Sequence, residues 1–267
     1  MPGPLFVHFP HSSLHYVKRG TGPKALLLFH GFGQDHHAFD QLPETLLFSH
    51  TLYVFDLFFH GASQWQEEEK PLEKEVWKEI MIQFLAENEI KKFSVLGFSM
   101  GGKFALACVE LFPKQVESVF LLAPDGIKTS MWYSLATYPF GFRHLFKSMI
   151  AHHSRFLAVA SLALRLRLID KGILRFVESQ MNTEEKRKRV YYSWMAFRHF
   201  QFNLDHIAGI LNSIPIPLTL IIGKYDKIIT AKNMLPFVNK LKKEVRFEVI
   251  EAGHNDLITK SGNMLNS

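Results

Sequence analysis

Phe93-Ser94-Val95-Leu96-Gly97-Phe98-Ser99-Met100-Gly101-Gly102 decides the fold of this chain, because it sets G-x-S-x-G between a strand-like and a helix-like run. Residues 93–96 form a short apolar run, and 100–112 reads as a helix closed by Pro113. A serine at such a junction stands on a sharp turn. Small residues two before and two after it let strand and helix approach, so that the hydroxyl projects above the sheet. The Met100 N–H, at the helix N-terminus, would then face developing negative charge. Gly and Ser are ordinary turn residues, so the pattern gains its meaning from its neighbours.

Moving outward, short β-type runs alternate with longer helical ones, which predicts a mostly parallel sheet covered by helices. Runs at 5–9 and 14–18 read as an antiparallel entry to the sheet, and 25–29 (ALLLF) as a strand buried on both faces. Further strands are expected at 51–56, 93–96, 119–123, 217–222 and 245–250, eight in all. Residues 72–89 carry Leu72, Val76, Ile80, Phe84 and Leu85 on one side of a helix, with acids opposite.

A nucleophilic serine needs a base, and the base needs an orienting acid. After the elbow, Gly223-Lys224-Tyr225-Asp226 follows the strand at 217–222, and Ala252-Gly253-His254 follows the strand at 245–250. Both stand at the carboxyl ends of their strands, where open α/β sheets gather functional groups. An oxyanion hole takes a second backbone donor from the loop His30-Gly31-Phe32-Gly33 after ALLLF, and the Phe32 N–H is assigned to pair with that of Met100. His30 is expected to bond loop backbone and shape this turn, and it is also a candidate for the substrate pocket.

The same residues admit other readings. Gly97 to Lys103 also fits G-x-x-x-x-G-K, but Phe104 stands where a phosphate loop needs a hydroxyl for Mg²⁺. Asp125, in Ala-Pro-Asp-Gly after the strand at 119–123, is an alternative acid for His254; position favours Asp226. The adjacent pairs His36-His37 and His152-His153 do not share a helix face, and there is no H-E-x-x-H and no cysteine pair, so no metal is expected.

With these motifs in place the chain resembles the α/β-hydrolase superfamily over nearly its whole length: HGFG at 30–33, DLFFHGAS at 56–63, GFSMGG at 97–102, GKYD at 223–226 and AGH at 252–254. It looks most like the small cap-bearing members, carboxylesterases and C–C bond hydrolases among them. One departure is Phe59, where the family commonly has the first glycine of D-x-x-G-H-G-x-S; the loop must take a different path or expose an aromatic ring. The resemblance implies an α/β-hydrolase core over 1–125 and 213–267, and an enzyme with Ser99 as nucleophile, His254 as base and Asp226 as acid. It also implies no cofactor. Relatives that open epoxides or displace halide carry aspartate at the elbow, so serine points to acyl transfer on a hydrophobic ester or acyl substrate. Alternatives are C–C bond cleavage on the same triad, or a non-catalytic ligand-binding protein on this fold.

Residues 126–212 interrupt the strand–helix series and read as an inserted helical cap, or lid. Its aromatic residues, Trp132, Phe146 and Trp194 among them, are pocket candidates; equally they could pack the cap helices together. The segment holds 13 Lys and Arg against 5 Asp and Glu, and so carries the whole excess behind the net charge of +6. A solvated helical face, an anionic substrate and docking to an anionic membrane surface are the three readings of that excess. Nucleic-acid binding has no supporting motif. The lone cysteine, Cys108, reads as a buried thiol. The N-terminal residues lack a basic stretch followed by a sustained apolar one, and no run approaches the roughly 18 apolar residues of a membrane span. A cytoplasmic protein is expected.

Overall fold

In the computed structural model, which describes residues 4–67, 69–128, 131–138, 140–168, 171–242 and 245–266, the chain divides into two compact units. The first comprises Met1–Gln66, Glu73–Lys128 and Phe200–Ser267, and the second Glu67–Leu72 and Thr129–His199.

The first unit is built on one sheet. Its strands are β1 (Leu5–Phe9), β2 (Ser12–Arg19), β3 (Lys24–Phe29), β4 (His50–Phe55), β5 (Gln64–Trp65), β6 (Phe93–Phe98), β7 (Val116–Leu122), β8 (Leu218–Gly223) and β9 (Arg246–Ile250). The order is β1-β2-β4-β3-β6-β7-β8-β9, with β5 paired to β2 off this path. The pairs β1–β2 and β2–β4 are antiparallel, and every pair from β4 through β9 is parallel. This is the mostly parallel sheet of the α/β-hydrolase fold. The eight expected strands are present, and the two-residue β5 is a ninth. No hydrophobic run announces it, since only Trp65 of its two residues is buried.

Position in the sheet explains the strand sequences. β3 lies between β4 and β6, and Leu26 to Phe29 are buried without alternation, as a strand covered on both faces requires. β6 and β8 are buried at every residue, whereas the edge strand β9 is half-buried to exposed throughout.

The helices of this unit are α1 (Glu44–Ser49), α2 (Lys74–Glu87), α3 (Gly101–Leu111) and, later in the chain, α9 (Leu204–Ser213), α10 (Ala231–Val238) and α11 (Leu257–Ser261). α2 buries Trp77, Ile80, Met81, Phe84 and Leu85. Trp77, not the expected Val76, therefore faces the core. Its indole meets the rings of Phe29, Phe104 and Phe200 at centroid distances of 6.0, 4.9 and 6.3 Å. Phe84 packs edge-on against Tyr16, Tyr53 and Phe55. α3 is buried from Gly101 to Val109, and Cys108 within it is a buried thiol whose pKa burial pushes up. α9 packs on α3. The boundary of the second unit thus lies at His199, earlier than the end expected at 212, because α9 joins the sheet's own helical layer.

The second unit holds α4 (Met131–Thr137), α5 (Phe140–Ala151), α6 (His153–Arg165), α7 (Lys171–Met181) and α8 (Glu184–Ala196). Thr183 caps α8 by accepting from the Lys186 N–H, with Glu184 and Glu185 in the first turn, where helix-end charge favours acids. One turn on, the buried Arg187 donates its Nε–H to the Ile150 carbonyl (2.8 Å) and an Nη1–H to the Met181 carbonyl (3.1 Å). One guanidinium thus satisfies carbonyls at the C-terminal ends of α5 and α7, where a cation also opposes the helix dipole. Among the described residues no helix is long and apolar enough to cross a membrane.

The Trp77 packing gives a direct test. Trp77→Ala, which empties a fully buried site, should lower unfolding free energy by about 3–5 kcal/mol. Val76→Ala, at a half-buried position, should cost well under half of that; urea unfolding curves of the two variants measure the difference.

Candidate active site

The elbow comes first. Ser99 has φ +50°, a left-handed conformation that a non-glycine residue adopts only when its surroundings force it. Here they do. The Ser99 N–H donates to the Leu122 carbonyl at the end of β7, and the Ser99 carbonyl accepts from the N–H groups of Gly102 and Asp125. The glycines have steric reasons. A Cβ at Gly97 would lie 2.5 Å from the Gly101 carbonyl oxygen, and one at Gly101 would lie 1.9 Å from the Phe29 carbonyl oxygen. The start of α3 is therefore pressed against the end of β3, which brings Met100 beside the loop that opens at His30.

His254 and Asp226 reach Ser99 from the loops after β9 and β8. His254 Nε2 lies 3.0 Å from Ser99 Oγ, and His254 Nδ1 lies 2.6 Å from Asp226 Oδ2. A carboxylate only accepts, so Nδ1 carries the proton and the neutral ring turns its Nε2 lone pair toward the Ser99 hydroxyl. Asp226 is itself held, its Oδ1 accepting from the N–H groups of Ile228 (2.8 Å) and Ile229 (2.9 Å). Three residues from three segments thus form one hydrogen-bonded line. Phe98, the residue before the serine, packs its ring 5.0 Å from the His254 imidazole, a contact that sequence reasoning missed.

Asp125, the alternative acid, is engaged elsewhere. Its Oδ1 accepts from the Gly126 N–H (2.7 Å), and its Oδ2 lies 3.2 Å from Nζ of the buried Lys103. The lysine that suggested a phosphate loop is thus an ion-pair partner under the elbow.

The His30–Gly33 loop is fixed by side chains from the segment after β4. His30 is fully buried; its Nδ1–H donates to the Gly31 carbonyl (2.7 Å), and its Nε2 accepts from the Leu57 N–H (3.0 Å). Burial lowers its pKa, in keeping with the neutral ring this pairing requires. Both ring nitrogens are used, so His30 shapes the loop and offers no nitrogen to a substrate; as a pocket candidate it is set aside. The Gly31 N–H donates to Gln34 Oε1, and the Gly33 N–H to Nε2 of His60, whose Nδ1–H in turn donates to the Phe58 carbonyl (3.0 Å). Phe32, between the two glycines, sets its ring edge-on to His60 at 5.2 Å.

Below this loop lies a second polar cluster that the sequence did not reveal. The buried Asp56 accepts four hydrogen bonds: at Oδ1 from the His36 N–H and ring Nδ1–H, and at Oδ2 from His15 Nδ1–H and the Ala62 N–H. His15, His36 and Asp56 each bring a metal-ligand type of atom within 4.8 Å of the others. Both histidines meet Asp56 through hydrogen bonds from Nδ1, and four donors fill a carboxylate's acceptor capacity. Burial alone would raise the Asp56 pKa, but these donors outweigh it and hold the carboxyl below its ordinary range. Gly61 is required here, since a Cβ would fall 1.9 Å from Asp56 Oδ2. Phe59 stands at φ +67°, a left-handed conformation that glycine adopts without strain, with its side chain half-buried.

The remaining candidates lie in the second unit. Trp132 is in α4, and its side chain falls outside the described residues. Phe146 is buried against the rings of Tyr191 and Trp194, each at 5.3 Å, and Trp194 also meets Tyr133 at 5.1 Å. Phe146 and Trp194 therefore pack α4, α5 and α8 to one another.

Two outcomes test this scaffold. His60→Ala leaves the Gly33 N–H without its acceptor and should cost about 1–3 kcal/mol, while His60→Gln, which keeps an acceptor near the Nε2 position, should recover part of it in thermal melts. For Asp56, the stabilisation from a lowered pKa is present above the unfolded carboxylate's pKa and is lost as pH falls through the folded one. Asp56→Asn should therefore be less stable than the wild type at pH 7 by about 3–5 kcal/mol, with the gap closing as pH drops below the ordinary carboxylate range in denaturant titrations.

Comparison with known proteins agrees with this fold. A family model described as alpha/beta hydrolase fold matches residues 24–261. The chain is 25% identical over 251 residues, 94% of its length and 84% of the relative's, to the pimeloyl-[acyl-carrier protein] methyl ester esterase of Nitrosomonas europaea. Among solved structures, a thermophilic esterase from Thermogutta terrifontis superposes with a TM-score of 0.69 at 18% identity, covering 99% of this chain and 96% of that one. The bromoperoxidase of Bacillus anthracis does so with a TM-score of 0.64 at 14% identity, covering 99% and 97%. Likeness at such identity speaks for the fold alone. This chain belongs to the alpha/beta hydrolase fold family.

Proposed function

We propose that the protein is a cofactor-independent serine hydrolase acting on carboxylic esters, with Ser99 as nucleophile. The observation that carries this reading is the line Ser99 Oγ, His254 and Asp226, at 3.0 and 2.6 Å, on a serine held at φ +50°.

In this reading Ser99 Oγ attacks the ester carbonyl carbon while His254 Nε2 takes the hydroxyl proton. Asp226 orients the imidazole and stabilises the imidazolium that forms. Its two backbone N–H partners hold the carboxylate in place. The carbonyl oxygen becomes an oxyanion, and the N–H groups of Phe32 and Met100 are assigned as its donors. Such a pair is fixed before reaction and need not reorganise, which is why losing one donor typically costs about 10²–10³ in rate. The tetrahedral adduct collapses as His254 returns its proton to the departing alkoxide, and the alcohol leaves. Water then attacks the acyl-enzyme, His254 takes its proton, and the second adduct collapses to release the carboxylic acid and restore Ser99.

Support for esters comes from the nucleophile itself, since serine at the elbow forms an acyl-enzyme that water can open. The similar protein from Nitrosomonas europaea is named for a methyl ester, which makes methyl and p-nitrophenyl esters of graded acyl length the natural substrate panel. Ser99→Ala should lower kcat on these esters by about 10⁴-fold or more with the thermal melt preserved, and Asp226→Asn by about 10⁴-fold. Mass-spectrometric mapping of a fluorophosphonate adduct should find it on Ser99. Unchanged turnover in Ser99→Ala, or an adduct confined to another serine, sinks the assignment.

A further inference from the structure

Between Gly126 and Ile169 the sequence holds six Lys and Arg and no Asp or Glu. α6 lies in this stretch. Its inner side buries Phe156, Ala160 and Ala163, the spacing of a helix packed along one stripe. An ordinary surface helix turns polar residues outward. Here Leu157, Val159 and Leu162 are exposed, and Leu166 and Leu168 follow in the turn that ends the helix. Leu162, Leu166 and Leu168 are 55%, 58% and 50% exposed, beside the exposed Arg155, Arg165 and Arg167. Among the described residues no carboxylate pairs with any of these three arginines; Asp170, the next acid in the chain, lies outside them.

We propose that the outer face of α6 and the turn at 166–168 form a docking surface for a bilayer containing anionic phospholipid. Leu162, Leu166 and Leu168 enter the boundary between headgroups and acyl chains. Arg155, Arg165 and Arg167 lay their aliphatic stems along that apolar layer and set their guanidinium groups at lipid phosphates. Charge selects the occupant. A second copy of the same face would bring six guanidinium groups together with no acid between them, which like-charge repulsion opposes. A purely zwitterionic surface supplies the apolar layer and no net charge to attract them. The surface lies wholly within the second unit and does not depend on the chemistry at Ser99.

The test is sedimentation of the full chain with vesicles of phosphatidylcholine alone, or of phosphatidylcholine with phosphatidylglycerol at about 30%. The expected result is about tenfold or more tighter binding to the anionic vesicles. Replacing the three leucines together (Leu162→Ser, Leu166→Ser, Leu168→Ser) should abolish it, and Arg155→Gln, Arg165→Gln and Arg167→Gln together should remove the preference for phosphatidylglycerol. In the Leu166→Trp variant, indole emission should shift to the blue on adding anionic vesicles and be quenched by brominated acyl chains beyond the wild-type change. Equal binding to both vesicle types overturns the proposal. So does anionic binding that survives the leucine substitutions, which would reflect only the chain's overall positive charge. If the triple-serine chain fails to fold, the Leu166→Trp measurement decides, and an unshifted, unquenched emission overturns the proposal.

Discussion

The contact on which the rest of the site depends is the approach of the first turn of α3 to the end of β3, where a Cβ on Gly101 would lie 1.9 Å from the Phe29 carbonyl oxygen. That approach exists because β3 and β6 are adjacent parallel strands, with Phe29 in register with Gly97. The chain leaving β6 must turn at once to avoid the loop leaving β3. The turn is made at Ser99, whose left-handed backbone is held by hydrogen bonds to the ends of β7 and of the Ala123–Asp125 segment. Strain of this kind costs of order 1–3 kcal/mol and persists only where packing over-determines it. Here it aims one hydroxyl out of the sheet, and it leaves the N-terminus of α3 facing the loop that carries Phe32.

That loop has little regular structure of its own, so its shape is imposed from below. His30 and His60 work as a matched pair, each neutral, each donating through Nδ1 to a nearby carbonyl and accepting through Nε2 from a backbone N–H. An imidazolium in either place would set a proton against an N–H, so the arrangement requires the neutral ring. Asp56 then ties β2, the segment after β4 and the residues after the loop together through four donors. A buried carboxylate is tolerable only when so completely bonded. Here it gives the irregular segments around Ser99 the rigidity that strands and helices elsewhere obtain from their own ladders.

The second unit is held by different means. Its aromatic residues, Phe146, Tyr191, Trp194 and Tyr133, form one cluster among α4, α5 and α8. A single buried arginine, Arg187, closes the ends of α5 and α7. The basic excess of this region thus divides into at least two kinds: Arg187 belongs to the interior, while Arg155, Arg165 and Arg167 stand outside among leucines.

The strand runs, the elbow, and Ser99, Asp226 and His254 as the residues that meet at the candidate site were legible in the sequence, because each is written in contiguous residues: apolar runs of strand length, glycines at fixed spacing, an acid and a histidine just past a strand. The choice of Asp226 over Asp125 needed the structure, for both follow strands and only the fold shows Asp125 beside Lys103 and Asp226 beside His254. The same holds for Trp77 in place of Val76, for the two-residue β5, for α9 joining the sheet's layer, and for Asp56 with His15, His36 and His60. Each of these depends on partners tens to hundreds of residues away, whose meeting leaves no local period or spacing. Local chemistry is carried by neighbours along the chain. Hydrogen-bond completeness and side-chain packing are properties of neighbours in space, and those only the folded chain assembles.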